Sequence, residues 1–312
     1  KTAKTVGINV RTLGSFWKII PYALTLPQAQ NAIHILPIWE PGVVASLYGP
    51  SSWNINPAFF DAALYQCIPP LDTVEKQLKV VVNLLHLMGK SVGMDVVPHT
   101  DRYSEQALAN PALFEWLQRA DTKIVRHDSG VFQTVGELIF EWVKYAGSAV
   151  PEHDAGHSAS DFFEKIPESE RLEILFGRVS DYGGRLARRK ELIELLYREG
   201  FETVPATMGP PYRGIETDPD PAAAIMDDDG RLWRDYRITR PEKFSRVFGP
   251  LARYQFYYSK DDNRDWALDF FNSNITAWQY VTDHYDAVQR TFNFDFMRGD
   301  MSHVQMRPEG VP

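Results

Sequence analysis

Cysteine is nearly absent. Cys67 is the only one in 312 residues, so no internal disulfide can form, and a lone thiol suits a reducing, cytoplasmic compartment better than an oxidising one. Long apolar runs are missing too. No stretch reaches the roughly 20 residues a membrane helix needs, so no membrane partner is expected. Positive charge is in deficit, with 33 Lys and Arg against 41 Asp and Glu, a net charge of −8 and a pI near 5.5. That argues against nucleic acid as a partner, because such binding rests on Lys and Arg neutralising phosphates. The sequence opens on Lys1 with no initiator Met and no signal-peptide pattern, and reads as processed or cut from something longer. There is no internal repeat and no low-complexity segment.

What is present is ordinary for one large α/β domain or two smaller ones: 44% hydrophobic and 24% charged residues. Aromatic residues make up 13%, with 8 Trp, 14 Tyr and 18 Phe. Such rings stack on sugar faces, or they fill a core.

Residues 6–10, VGINV, form a short β-branched apolar run that predicts a buried strand. TLPQAQNA reads as a helix. AIHILPIWE, residues 32–40, is a second strand, and its near-continuous apolarity is that of a parallel strand covered on both faces. EPGVVASLYGPSSWNINPAFFD is dense in Gly, Pro, Ser and Asn and reads as a loop. Asp72 or Thr73 then caps a helix with Val74, Leu78, Val81, Leu84, Leu85 and Met88 at helical spacing, stopped by Gly89. SVGMDVVPH is the third buried strand. This rhythm predicts βαβ units and a parallel sheet. From residue 101 to about 265 it breaks into helical and loop segments with no clear buried strand. RLARRKELIELLYREG is an amphipathic helix, and PATMGPPYRGIETDPDPAAAIMDDDG is a long Pro, Gly and Asp-rich excursion of the kind that forms lids. The rhythm resumes with a helix carrying Ile275, Trp278, Val281, Tyr285 and Val288 on one side, and then a closing strand, FDFMRGD.

Polar residues gather at the ends of the predicted strands. Tyr48 follows strand two, Asp95 and His99 belong to strand three, and Arg298, Asp300 and His303 to strand four. In parallel barrels the chemistry sits at such ends. Asp300 reads either as a nucleophile kept ionised by Arg298, two residues earlier on the same face, or as half of a structural ion pair. Asp95 either binds a substrate hydroxyl or anchors a loop. His86 reads as structural and His34 as core. His153 and His157 have the i,i+4 spacing of a metal pair, but Gly156 and the lack of an apolar frame count against one, so no metal is expected there. Glu137 and Glu141 share that spacing on a solvated helix face.

Taken together, three segments in this order resemble the α-amylase superfamily, glycoside hydrolase family thirteen. AIHILPIWEPGVVASLYGPSSWNINPAFFD is similar to the family's second strand and its Tyr-Gly loop, here Tyr48 and Gly49. HLMGKSVGMDVVPHT is similar to the third strand with its Asp-Val-Val signature, here Asp95, Val96 and Val97. FDFMRGD is similar to the fourth-strand signature, with Asp295, Arg298 and Asp300 in the matching positions. The resemblance covers about residues 6–101 and 265–307.

It implies a (β/α)₈ TIM-barrel type of α/β fold, of which this chain holds about the first four βα units. Residues 1–100 would carry strands one to three, 101–265 a mainly helical or loop insert like the family's domain B, and 266–312 helix three and strand four. Asp300 would be the nucleophile of a retaining enzyme acting on α-glucosides or α-glucans, forming a covalent glycosyl-enzyme, and Arg298 would hold it ionised. Tyr48, Asp95, His99 and His303 would contact the carbohydrate substrate. No cofactor is required. The family's structural calcium leans on an Asn after Asp-Val-Val, and His99 stands there, with Thr100 where the family has a His. The general acid is a Glu on strand five, and this chain stops just past strand four. The missing half of the barrel, supplied by further chain or by another chain, would then be a partner. The rival reading is a non-catalytic amylase-like module that binds carbohydrate or protein without the acid. If the MGPPYRG stretch shapes the substrate cleft, replacing Tyr212 and Arg213 with Ala should raise KM, and unchanged kinetics would count against that role.

Overall fold

The computed structural model describes residues 3–42, 44–207, 215–227, 230–239, 247–260 and 268–300. Its centre is a four-stranded parallel sheet in sequential order: β1 (Thr5–Ile8), β2 (Ala32–Ile35), β3 (Ser91–Val96) and β4 (Phe296–Gly299). The expected rhythm is present in all four strands. The connecting helices are α1 (Ile19–Thr25), α2 (Val74–Leu87) and, before β4, α6 (Ile275–Phe292). Three further helices, α3 (Val131–Ala146), α4 (Glu168–Phe176) and α5 (Tyr182–Arg198), lie in the excursion between β3 and α6.

Register gives the sheet two unlike faces. Gly7 pairs with His34, His34 with Gly93, Gly93 with Phe296, and Asp95 with Arg298. Because side chains alternate along a strand, these residues share one face. The other face carries Ile8, Ile33, Ile35, Val92 and Met94, all buried in one cluster with Leu78, Val81, Val82 and Leu85 of α2. Helix α2 packs on β3 and touches α1 and α6. The near-continuous apolarity of the second strand therefore conceals a polar position, His34. Gly93 has no room for a side chain, since a Cβ would run into the ring of Phe296 on β4.

Helix ends follow their capping chemistry. Thr73 Oγ1 accepts from Lys76 N–H at 3.3 Å, and Asn274 Oδ1 from Ala277 N–H at 3.3 Å. The buried face of α6 is Ala277, Val281, Tyr285, Val288 and Phe292. Ile275, expected on that face, is 59% exposed at the first turn. TLPQAQNA is not a helix. The helix lies earlier, at α1, and Leu26 leaves it in extended conformation because the residue before Pro27 is pushed out of the α region. The Gly-rich segment after β2 is not all loop: Trp39–Pro41 pairs antiparallel with Pro50–Ile55.

The expectation of a mainly helical or loop insert is corrected most. Besides its helices it contains an antiparallel sheet of Trp116–Ala120, Lys123–Arg126, Phe201–Thr203, Ile215–Thr217 and Tyr236–Ile238, and a second of His99–Asp101, Val247–Arg253 and Pro205–Thr207. All of them but Val247–Arg253 have three to five residues, too few for a period of two to emerge from sequence, and Phe201–Thr203 buries two polar residues of its three. Buried ion pairs replace apolar contacts there. Glu202 is fully buried and paired with both Arg102 and Arg119. Tyr212 and Arg213 lie outside the described residues. No helix among those described is long and apolar enough to cross a membrane.

A second buried cluster ties the insert to the sheet. Arg185 of α5 reaches Glu105, the first residue of the short helix Glu105–Ala109, at 2.6 Å and Glu40, on the strand Trp39–Pro41 that follows β2, at 3.3 Å. Ser52 and Asn54 also donate to Glu40. Arg185→Met would leave two buried carboxylates without their cation, and removing one partner of such a cluster costs about 3–5 kcal/mol. Urea unfolding should show that loss; one below about 1 kcal/mol would mean the cluster behaves as solvated surface pairs.

Candidate active site

Four of the residues singled out in the sequence meet at the C-terminal end of β3 and β4. Asp95, on β3, has no solvent exposure. Its Oδ1 lies 2.8 Å from Arg298 Nη1 and 2.8 Å from His34 Nε2, and its Oδ2 accepts from the Tyr48 hydroxyl at 3.1 Å. The same Arg298 Nη1 lies 3.2 Å from Asp300 Oδ1. Asp300 follows the end of β4, where its N–H still donates to Val96 O at 2.9 Å and continues the ladder. The Arg298 side chain is 53% exposed and that of Asp300 17%, so the pair sits at the mouth of the site above the buried acid.

Tyr48 is delivered by a closed loop. Gly42 N–H donates to Gly49 O at 2.9 Å, Arg11 Nη1 donates to Ala45 O at 2.7 Å, and Ala45 takes a left-handed φ of 53°. A Cβ at Gly49 would press to 2.8 Å from Leu251, so the Tyr-Gly pair answers to close packing against the insert. From the helix side, Tyr285 of α6 accepts Val97 N–H at 3.0 Å and secures the end of β3.

Protonation follows from these contacts. Burial pushes the Asp95 carboxyl up, but hydrogen bonds from His34 and Arg298 and their charges outweigh it and hold Asp95 below the usual carboxylate range. Burial, the Asp95 charge and its hydrogen bond push the Tyr48 phenol up to about 12. Tyr48 is therefore a neutral donor and Asp95 an ionised acceptor near neutral pH, which makes His34 Nε2 the hydrogen-bearing nitrogen of its pair.

The remaining candidates separate. His99 is 4% exposed, and its ring faces the Tyr48 carbonyl. Burial takes it down to about 4, opposed by the Tyr48 carbonyl, so it is a neutral imidazole behind the Tyr48 loop. Calcium takes oxygen ligands, and a buried imidazole in the position of the family's Asn does not fit that ion. His303 lies outside the described residues. His86 pairs with Asp295 at 2.9 Å, and Asp295 also accepts Val92 N–H at 2.7 Å, so this part of the fourth-strand signature links the opposite end of the sheet. His153 bonds Glu170 at 3.2 Å and Glu173 at 2.9 Å. His34, expected in the core, is the residue whose part in the cluster sequence reasoning did not find. It is buried, but its tip belongs to the site. The available signal was a lone ionisable residue inside a β-branched strand.

A separate cavity of about 780 Å³ lies among α3, α4 and the start of α6, lined by Phe132, Phe163, Glu168 and Tyr280, and shares no residue with this cluster.

No family model matches the sequence, and no curated protein does. Solved structures give distant likenesses. Trehalose-6-phosphate hydrolase of Bacillus licheniformis matches in one structure at 20% identity over 39% of this chain and 22% of that one, with a TM-score of 0.28. A second structure of that enzyme matches at 15% identity over 64% and 43%, also at 0.28. An α-amylase from Lactobacillus plantarum matches at 19% identity over 46% and 36%, at 0.30. The chain thus spans less than half the length of each of these proteins, and likeness of this degree assigns neither activity nor residues.

The depressed Asp95 predicts an acid limb of stability. A carboxyl that binds protons less readily when folded stabilises the protein above its unfolded-state pKa of about 3.9, and that contribution is lost as pH falls toward the folded-state value. Unfolding free energy measured from about pH 5 to about pH 2 should therefore fall more steeply in the wild type than in Asp95→Asn; equal slopes would show that Asp95 is not held ionised.

Proposed function

We infer that the chain carries the nucleophile side of a retaining α-glycosidase or transglycosidase acting on α-glucosides. The observation supporting this is the single guanidinium nitrogen of Arg298 placed between buried Asp95 and the more exposed Asp300, at the ends of adjacent parallel strands. In this reading the sheet is the first half of a (β/α)₈ barrel. Asp300 attacks the anomeric carbon, the bond to the leaving oxygen breaks with its electron pair, and a covalent glycosyl ester forms. Water or an acceptor hydroxyl later displaces the ester. Arg298, 3.2 Å from Asp300, orients its carboxyl for that attack. Tyr48, a neutral phenol half-exposed over the site, supplies a ring face to the sugar. His99 and His303 remain proposed substrate contacts, His99 through the loop it backs.

Retention needs a second carboxyl about 5 Å from the first, which protonates the leaving oxygen. Asp95 does not suit that task. It is buried, its two oxygens are occupied by three donors, and it is held ionised. The acid is therefore a different group, and the carbohydrate reading extends to a binding-only module if no such group joins the site.

A leaving group that needs no proton tests the nucleophile alone. Incubation with 5-fluoro-α-glucosyl fluoride should add the mass of one fluorosugar to the peptide containing Asp300, with fluoride released. Asp300→Asn should abolish the adduct. Absence of labelling in the wild type would remove the α-glucosidase assignment, and labelling at another carboxylate would relocate the nucleophile.

A further inference from the structure

The division of Arg298 between two carboxylates needs an explanation. Asp95 is fully buried and Asp300 is not, so the anion with less water should hold the cation more strongly. The distances agree in direction, 2.8 Å to Asp95 against 3.2 Å to Asp300. Arg298 nevertheless keeps both. Nη1 carries two hydrogens, and one can be spared for Asp300 only if Asp95 is already satisfied by other donors.

Those donors come from β2 and the loop after it. Tyr48 takes Oδ2, and His34 takes Oδ1, the oxygen that Arg298 also contacts. His34 reaches it diagonally across the sheet, since its register partner is Gly93, two residues before Asp95. The titratable and charged groups facing Asp95 are His34 from β2, Tyr48 from the loop, Arg298 and Asp300 from β4, and Tyr285 from α6. Of these, His34 is the one that shares an oxygen with Arg298 while making no contact with Asp300.

We propose that His34 is a positioning residue that divides Arg298: by donating to Asp95 Oδ1 it satisfies the buried carboxylate and leaves Arg298 free to reach Asp300. Without His34, Asp95 draws the guanidinium fully onto itself and Asp300 loses its cation. This rests on the reading of Asp300 as nucleophile for its catalytic consequence, but not for its geometric one.

Three variants test it on the full chain. His34→Leu removes the donor, His34→Asn keeps polarity but falls short of Asp95, and His34→Gln keeps both a donor and the reach. Crystal structures of the variants read the geometry without any turnover. The Arg298–Asp300 contact should open beyond hydrogen-bond distance in His34→Leu and His34→Asn and close again in His34→Gln. An intact contact in either of the first two overturns the proposal, and His34→Asn decides it should His34→Leu not fold. Labelling by 5-fluoro-α-glucosyl fluoride reads the chemistry. In the Leu and Asn variants the labelling rate at saturating probe should fall by roughly tenfold, with probe affinity unchanged, and the Gln variant should restore it. An unchanged saturating rate overturns the proposal, as a role in stability alone would leave it in place. A wild type that is never labelled refutes the nucleophile reading instead, and the crystallographic distances still decide what His34 does.

Discussion

One buried carboxylate constrains the centre of this molecule. Asp95 has no exposure to water, and an unpaired charge in that position would cost several kcal/mol, so three donors must reach it. They come from positions 34, 48 and 298, that is, from β2, from the loop after it and from the last strand described. Meeting that requirement fixes the register of β2 and β4 against β3, the closed shape of the loop around Ala45, and the side of the sheet on which the polar residues collect. A buried ion pair is weak evidence for net stability, because desolvation offsets much of the attraction. The better account of this one is geometric, since it holds Arg298 and Tyr48 in place at the mouth of the site.

The rest of the architecture divides the labour. Apolar burial between the outer face of the sheet and α2 supplies the driving force, with Leu78, Val81, Val82 and Leu85 against Ile33, Val92 and Met94. The insert uses charge where the sheet uses hydrocarbon. Arg185 reaches Glu105 within the insert and Glu40 on the strand that follows β2, and Glu202 gathers Arg102 and Arg119. Directional contacts of this kind fix orientation more sharply than apolar packing does. They suit segments that must hold loops at set distances from the Asp95 cluster.

Much of this was legible before any coordinates. Helices α2, α5 and α6 declare themselves by a 3.6-residue period, and α2 also by its capping residue Thr73. The parallel strands declare themselves by β-branched runs, and Asp95, Arg298, Asp300 and Tyr48 by their order. What was illegible has physical causes. Most strands in the insert have only three to five residues, too few for alternation to stand out from sequence, and Glu202 and Thr203 reverse the usual link between polarity and exposure. Ile275 reads as part of the apolar side of α6, although it stands in solvent while Ala277, two residues on, is buried. His34 was hidden by its neighbours: an apolar strand makes its one polar residue look like core, when the same burial is what makes its hydrogen bond matter.

These contacts also separate two roles that proximity alone would confuse. Asp95 and Asp300 both touch Arg298 and could pass for the paired carboxylates of a retaining glycosidase. Their environments differ in the direction that decides function. Asp95 is enclosed, triply hydrogen-bonded and depressed in its proton affinity, so it can neither release a proton to a leaving group nor approach an anomeric carbon. Asp300 is partly open and shares one donor with its neighbour, which on the proposed function leaves lone pairs free to attack. On that reading Asp95 is the fixed anion that positions the cation, and Asp300 the carboxyl left accessible to a substrate.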